Sequence, residues 1–282
     1  MMDPVANSIG DYNIIMGNTG GDAITEFDPR IPHSIFYDSP KWNGMSVLAL
    51  YSPSQKLRNL SGSAANAYAQ GERVCAGFTP GPDAGSTLCN HGASKNVYSV
   101  AISYEMGPWL GTFSYERHQR VDRTGDNGGV TSSESAAKLG VSYLYDRNRL
   151  SLIYEKFYRG GGIPSSLNER DRHGFYISDV QDLGNNLDVI GAWAHASRTP
   201  GSPNFGNADD SADMYVLGLK YHFDKQTSVS LIGALLSQGD GAHFTLGAGG
   251  HGAPLASPRN DAGGIIPGTA IKALSVEMQY AF

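Results

Sequence analysis

The sequence is short of charge, of cysteine and of long apolar runs. Only 17% of its 282 residues are charged. Soluble domains usually carry roughly 25%, so long solvated helices are poorly supplied. The uninterrupted apolar stretches 189–194 and 231–236 are about six residues each, against the roughly 20 that a membrane-spanning helix needs. Helical spans are excluded. The formal net charge is −6, with no cluster of Lys and Arg. Nucleic acid is therefore excluded as a main partner, because phosphate binding needs concentrated cationic charge. The opening residues Met1 to Gly10 lack the basic-then-apolar layout of a secretory signal. Either the protein is cytoplasmic or its true beginning lies upstream.

What the chain has is alternation. Leu274, Val276, Met278, Tyr280 and Phe282 line one face of a strand, and Ala273, Ser275, Glu277, Gln279 and Ala281 the other. The same period of two runs through Tyr215 to Phe223, Tyr98 to Glu105 and Lys138 to Tyr145. Such a pattern marks a strand with one apolar and one wet face. Eleven strands are predicted, at about 31–38, 44–52, 97–105, 109–118, 136–146, 149–159, 170–181, 186–196, 213–223, 227–236 and 270–282. Their length of about ten residues suits a tilted strand crossing a bilayer and exceeds the usual soluble strand.

The connections alternate as well, short then long, from 39–43 and 53–96 through to 224–226 and 237–269. A Greek-key sandwich has no reason to sort its loops this way. A meandering transmembrane barrel does, with tight turns at the periplasmic rim and long loops outside. Tyr98 and Tyr104, Tyr143 and Tyr145, and Tyr280 with Phe282 fall near the ends of the apolar faces, where aromatic girdles meet the headgroups. The fold class is all-β: a transmembrane antiparallel up-and-down β-barrel.

Cys75 and Cys89 share the longest connection. In an exported loop they read as a disulfide closing about fifteen residues, worth about 3 kcal/mol on a chain-entropy estimate. The alternative is two free thiols in a cytoplasmic protein. His91 stands near Cys89, but the four-ligand spacing of a zinc site is missing, so no metal or cofactor is expected.

The chain resembles the Gram-negative outer-membrane porins, the trimeric sixteen-stranded barrels for small hydrophilic solutes. The resemblance rests on Pro32-His33-Ser34-Ile35-Phe36-Tyr37-Asp38-Ser39-Pro40 followed by 44–51, on Tyr115-Glu116-Arg117-His118, on Asn168-Glu169-Arg170-Asp171-Arg172, and on the terminal Tyr280-Ala281-Phe282. It implies an outer-membrane location, contact with outer-membrane lipid, a homotrimer, and recognition of Tyr280 and Phe282 by the barrel-assembly machinery. The departure is at the front, where the family has a signal peptide and further strands. Parity agrees: the first strand runs into a short turn, so residues 1–30 start on the long-loop side and an odd number of strands precedes them. Eleven present and five absent make sixteen, an allowed even count.

Passive permeation needs a water-filled lumen, a constriction and charges, not a reaction centre. By parity the lumen-facing polar residues are Glu105, Glu116, His118, Lys138, Glu155, Arg159, Arg170, Arg172, Lys220, His222 and Glu277. The resemblance implies that residues 1–30 are the loop that folds into the barrel, with Asp11, Asp22, Glu26 and Asp28 as its acidic rim and Arg30 near the wall; the alternative is a disordered stub. Residues 31–282 form the barrel as a single domain. The loop acids and the net charge favour a weak cation preference. Against a barrel enzyme, His195 is the strand histidine that parity puts on the lipid side, and its sequence neighbours Trp193 and Ala196 offer it no partner. The segment Gly247-Ala248-Gly249-Gly250-His251-Gly252 lacks the Lys-Ser/Thr ending of a phosphate loop and reads as an extracellular loop. The expected function is a diffusion channel, not an enzyme. The alternatives are a barrel enzyme or adhesin acting through its loops, and a non-functional porin fragment.

Overall fold

The computed structural model describes residues 2–17, 27, 31, 34–53, 96–121, 132–159, 171–199, 209–242, 244–246 and 268–281, without the side chains of 121, 132 and 159. Eleven strands form one sheet in chain order: β1 (Ile35–Asp38), β2 (Met45–Ser52), β3 (Asn96–Met106), β4 (Trp109–Val121), β5 (Ser132–Tyr145), β6 (Asn148–Arg159), β7 (His173–Asp182), β8 (Leu187–Ala196), β9 (Ala212–His222), β10 (Thr227–Gln238) and β11 (Ile271–Tyr280). Every neighbouring pair is antiparallel. Each predicted strand is present. The largest differences are at the ends: β1 starts at Ile35 instead of residue 31, and β5 starts at Ser132. Among the described residues no helix is long and apolar enough to cross a membrane.

The tight turns have local causes. Gly107 takes φ 56 and Pro108 follows it, the sign sequence of a type II′ hairpin whose twist matches the flanking strands. Gly44 takes φ +87, and a Cβ there would stand 2.2 Å from the carbonyl oxygen of Glu105. No other residue fits that turn.

Register fixes two faces. On one, Ile102 lies opposite Phe113, Leu139 opposite Tyr154, and Leu231 opposite Leu219 and Val276. This face is exposed along its length, with Leu217, Leu274 and Val276 among its most open side chains. Trp109, Tyr143 and Tyr145 stack at its short-turn end, and Tyr51 meets Tyr98 toward the other. An outward apolar band bounded by aromatics fits a lipid boundary.

The inner face is divided. Across β2–β6 it is polar: Ser46 opposite Ser103, Ser103 opposite Thr112, and Ser114, Lys138 and Glu155 in one row. Across the long-loop part of β7–β10 it is apolar, with Tyr176, Ala194, Met214, Val216, Ala234 and Leu236 buried, and Ser178, Ser228 and Ser230 follow toward the short turns. Strand alternation predicts a wet inner face throughout. The difference arises because the inner face of β7–β10 is a packing surface for the chain's own N-terminal segment.

Candidate functional site

Residues 2–17 fold as a compact loop because short acidic side chains take the place of backbone partners. Asp3 accepts hydrogen bonds from the Val5 amide at 3.0 Å and the Tyr12 amide at 3.1 Å. Asp11 accepts from Asn7 at 2.7 Å and from Asn13 at 2.9 Å, capping a 3₁₀ turn at Tyr12–Ile14. Those bonds point Val5, Ile9, Ile14, Ile15 and Met16 into one apolar cluster with Ala194, Met214, Val216 and Leu236 of the wall.

Polar contacts fix the loop's position. The Tyr176 hydroxyl donates to Asp3 at 2.7 Å, and the Ser178 hydroxyl donates to the Met2 carbonyl at 3.0 Å. The Gly17 amide donates to Glu155 at 2.9 Å, and Glu155 pairs with Lys138 at 3.0 Å. Lys138 also stands 5.2 Å from the centre of the Tyr12 ring. Glycines mark close approaches: a Cβ at Gly174 would stand 2.7 Å from the Met16 sulfur, at Gly140 2.7 Å from the Met2 sulfur beside the Thr112 hydroxyl, and at Gly10 2.7 Å from one Val216 methyl. Burial of its carboxyl among these groups pushes the Asp3 pKa up from 3.8 to about 6; Asp11 adds to the rise, and the bonds from Tyr176, Tyr12 and Val5 oppose it.

A cavity of about 420 Å³ remains between the loop and the polar side of the wall, with a mixed lining: Ser46, Ser103, Thr112 and Lys138 alongside Met2, Ala6 and Ile153. Phe27 also packs on the wall, stacked on His118 with ring centroids 4.6 Å apart and on Phe157 at 5.1 Å, and its amide donates to the Gly17 carbonyl at 3.0 Å.

The candidate residues fall into distinct places. Glu116 pairs with His118 at 2.8 Å, and Lys138 with Glu155, both on the inner face. Near the short-turn end, Lys220 donates to Gln279 at 3.0 Å, Ser275 donates to Glu277 at 3.3 Å, and His222 meets Asp188 at 2.8 Å. Glu105 sits at that rim, half exposed, paired with Lys41 at 2.7 Å. Arg172 is buried, its guanidinium over the Phe244 ring at 5.1 Å. Asp11 is buried in its own loop. Tyr280 ends β11 on the outer face. Asp22, Glu26, Asp28, Arg30, Arg170, Cys75, Cys89, Phe282, the side chain of Arg159 and the glycine-rich 247–252 lie outside the described residues.

One reading is corrected. His195 does have a partner: Asp213 on β9, at 2.9 Å, which also accepts from the Trp193 indole at 2.9 Å. The partner comes from the neighbouring strand, where only register can bring it. Sequence reading also missed Asp3, Tyr176 and Phe244. Among the described residues no group of three or more His, Cys, Asp or Glu could hold a metal ion.

An antiparallel sheet in chain order, an apolar exterior and an inward loop define the class of transmembrane barrel. A family model of the Gram-negative porins matches residues 1–241, so the chain belongs to the Gram-negative porin family, whose members reside in the bacterial outer membrane. Its fold is similar to that of the anion-selective porin from Comamonas acidovorans, with TM-score 0.56 and 17% identity over 88% of this chain and 59% of that one. It is also similar to in-vitro folded OmpT of Vibrio cholerae, with TM-score 0.51 and 10% identity over 88% of this chain and 63% of that one. Against the outer-membrane expressed form of OmpT the values are 0.51 and 10%, over 96% and 71%. The chain thus spans about three fifths of the length of the first two structures. No curated protein matches it in sequence.

Proposed function

We propose that the protein is a passive diffusion channel for ions and small hydrophilic solutes, narrowed by its residues 1–30. The observation that supports this best is the loop 2–17, docked on the apolar part of the inner face and leaving beside the polar part a cavity whose mixed lining includes Ser46, Ser103, Thr112, Ser114 and Lys138. Water and solute follow the polar part, because apolar wall and apolar loop have excluded water from each other. The reading contains no reaction centre. It includes assembly as a homotrimer, delivery by the barrel-assembly machinery through Tyr280 and Phe282, and a Cys75–Cys89 disulfide in the outer loop.

The test is electrical. The full-length gene product, folded and inserted into planar bilayers, should give ohmic stepwise conductance, and proteoliposomes should swell in small neutral sugars. A folded, heat-modifiable barrel with no conductance would sink the reading.

Charge along the passage follows from what each acid already does. Asp11 is engaged with the amides of Asn7 and Asn13. We therefore assign the weak cation preference to Asp22, Glu26 and Asp28. Glu155→Gln tests the wall. It leaves Lys138 without its buried counter-charge, a change that costs about 3 kcal/mol or more where an ion pair is buried. The expected result is a lower thermal unfolding temperature and a reversal potential, in a KCl gradient, displaced toward anions. An unchanged reversal potential would place the Lys138–Glu155 pair away from the ion path.

A further inference from the structure

Past the end of β10 the described residues 242 and 244–246 also turn inward, a feature outside the channel reading. Ala242, Phe244 and Leu246 are fully buried. They belong to the same apolar cluster as Ile14, Ile15 and Met16 of the N-terminal loop. A loop that only covers the rim would leave its large apolar side chains partly wet, whereas this one puts them into the core that seats the loop.

The inward course is built by specific groups. Gln238, the last residue of β10, bridges the two limbs: its carboxamide oxygen accepts from the Phe244 amide at 2.7 Å, and its nitrogen donates to the carbonyls of Phe244 at 3.2 Å and Thr269 at 2.8 Å. A side-chain amide carries one acceptor and two donors, and here all three kinds of bond hold the bend. The limbs also meet directly, the Gly268 amide donating to the Ala242 carbonyl at 2.9 Å. Gly268 takes φ +69 there, a backbone conformation that suits glycine. The base is tied to the preceding long connection by the Gly241 amide, which donates to the Asp209 carbonyl at 2.7 Å.

The other side of Phe244 is the wall. The Arg172 guanidinium lies 5.1 Å from its ring centroid. Cation and ring attract, and the attraction is stronger away from water. At Gly174, two residues along the same inner face, a Cβ would stand 2.7 Å from the Met16 sulfur and 3.3 Å from the carboxylate of Glu155, the acceptor for Gly17. Phe244 therefore sits beside the part of the wall on which Met16 and Gly17 of the N-terminal loop are seated.

We propose that residues 242 and 244–246 belong to a second arm of the constriction, with Phe244, seated against Arg172, a residue that sets the size cut-off by latching the N-terminal loop. This rests on the channel reading. Removing the ring opens the apolar cluster and frees both arms; removing the Gln238 amide frees the bend and leaves the ring intact.

The experiment compares the wild-type full-length protein with Phe244→Ala and Gln238→Ala, each checked for heat-modifiable folding. The readouts are single-channel conductance and the largest neutral sugar that swells proteoliposomes. Both variants are expected to conduct more than wild type and to admit larger sugars. Folded variants with wild-type conductance and an unchanged cut-off overturn the latch and leave the channel standing. A folded wild type without conductance overturns the channel itself, and the latch with it. If Phe244→Ala does not fold, Gln238→Ala decides alone: increased conductance supports the latch, unchanged conductance overturns it.

Discussion

A channel carrying Ile15→Asp should conduct markedly more current than wild type while keeping its barrel. Ile15 is 1% exposed, in a cluster with Ala194, Met214 and Leu236, each 0% exposed. A carboxylate there has no cationic partner among the cluster's side chains, and burying an unpaired charge costs several kcal/mol even after relaxation. The loop avoids that cost by leaving the wall, since water then solvates both the new carboxylate and the segment's amides. The sheet has no such need. Its ladders run from β1 to β11 without contribution from residues 2–17, so heat-modifiable mobility on gels should persist. The measurement is single-channel conductance at one salt concentration, with liposome swelling as a second reading. A folded Ile15→Asp barrel with wild-type conductance would mean that the docked loop does not limit flow.

The second large effect is in pH. Burial raises the Asp3 pKa from 3.8 to about 6, equivalent to about 3 kcal/mol. The sign follows from proton counts. Between pH 4 and pH 6 the docked carboxyl holds its proton while the released one has lost it, so docking weakens as pH rises through this interval. Below it both forms are protonated, and above it the full penalty is present. The charged groups around Asp3 are Asp11 on the same loop and Lys138 across the Tyr12 ring, with the Tyr176 hydroxyl on the wall. Conductance should therefore be smallest and quietest near pH 4 and should increase toward pH 7. Asp3→Asn removes the titrating group and should flatten that profile. If wild type and Asp3→Asn show the same pH dependence, Asp3 does not control docking.

Much of the fold is legible in the sequence because a β-strand exposes its periodicity directly. Tyr280, Met278, Val276 and Leu274 announce an outward face whatever pairs with them, since successive side chains must point to opposite sides. The turn at Gly107-Pro108 is equally local, a matter of backbone angles within two residues. The family likeness is legible for the same reason: its motifs are short strand and turn segments.

The site is less legible because its contacts join residues far apart in the chain. Arg172 reads as a lumen cation by parity, yet Phe244 from another connection covers it. His195 reads as isolated, yet register brings Asp213 beside it. Asp3 carries no motif, and its role exists only because the docked loop brings it against the Tyr176 hydroxyl of the wall. The polar part of the inner face carries Ser, Thr, Lys138 and Glu155 and the apolar part Ala, Val, Met, Tyr176 and Leu236; strand alternation marks both as one inner face and does not say which part another segment covers.

The sequence by itself therefore determined the strands, their order, the outward apolar band and the sorting of short turns from long loops, all consequences of period-two patterning and local turn chemistry. The tertiary structure alone decided that two segments pack on the inner wall and which part of it they dry. That choice depends on summed apolar burial and on hydrogen bonds between distant residues, and neither is encoded in any one stretch of the chain.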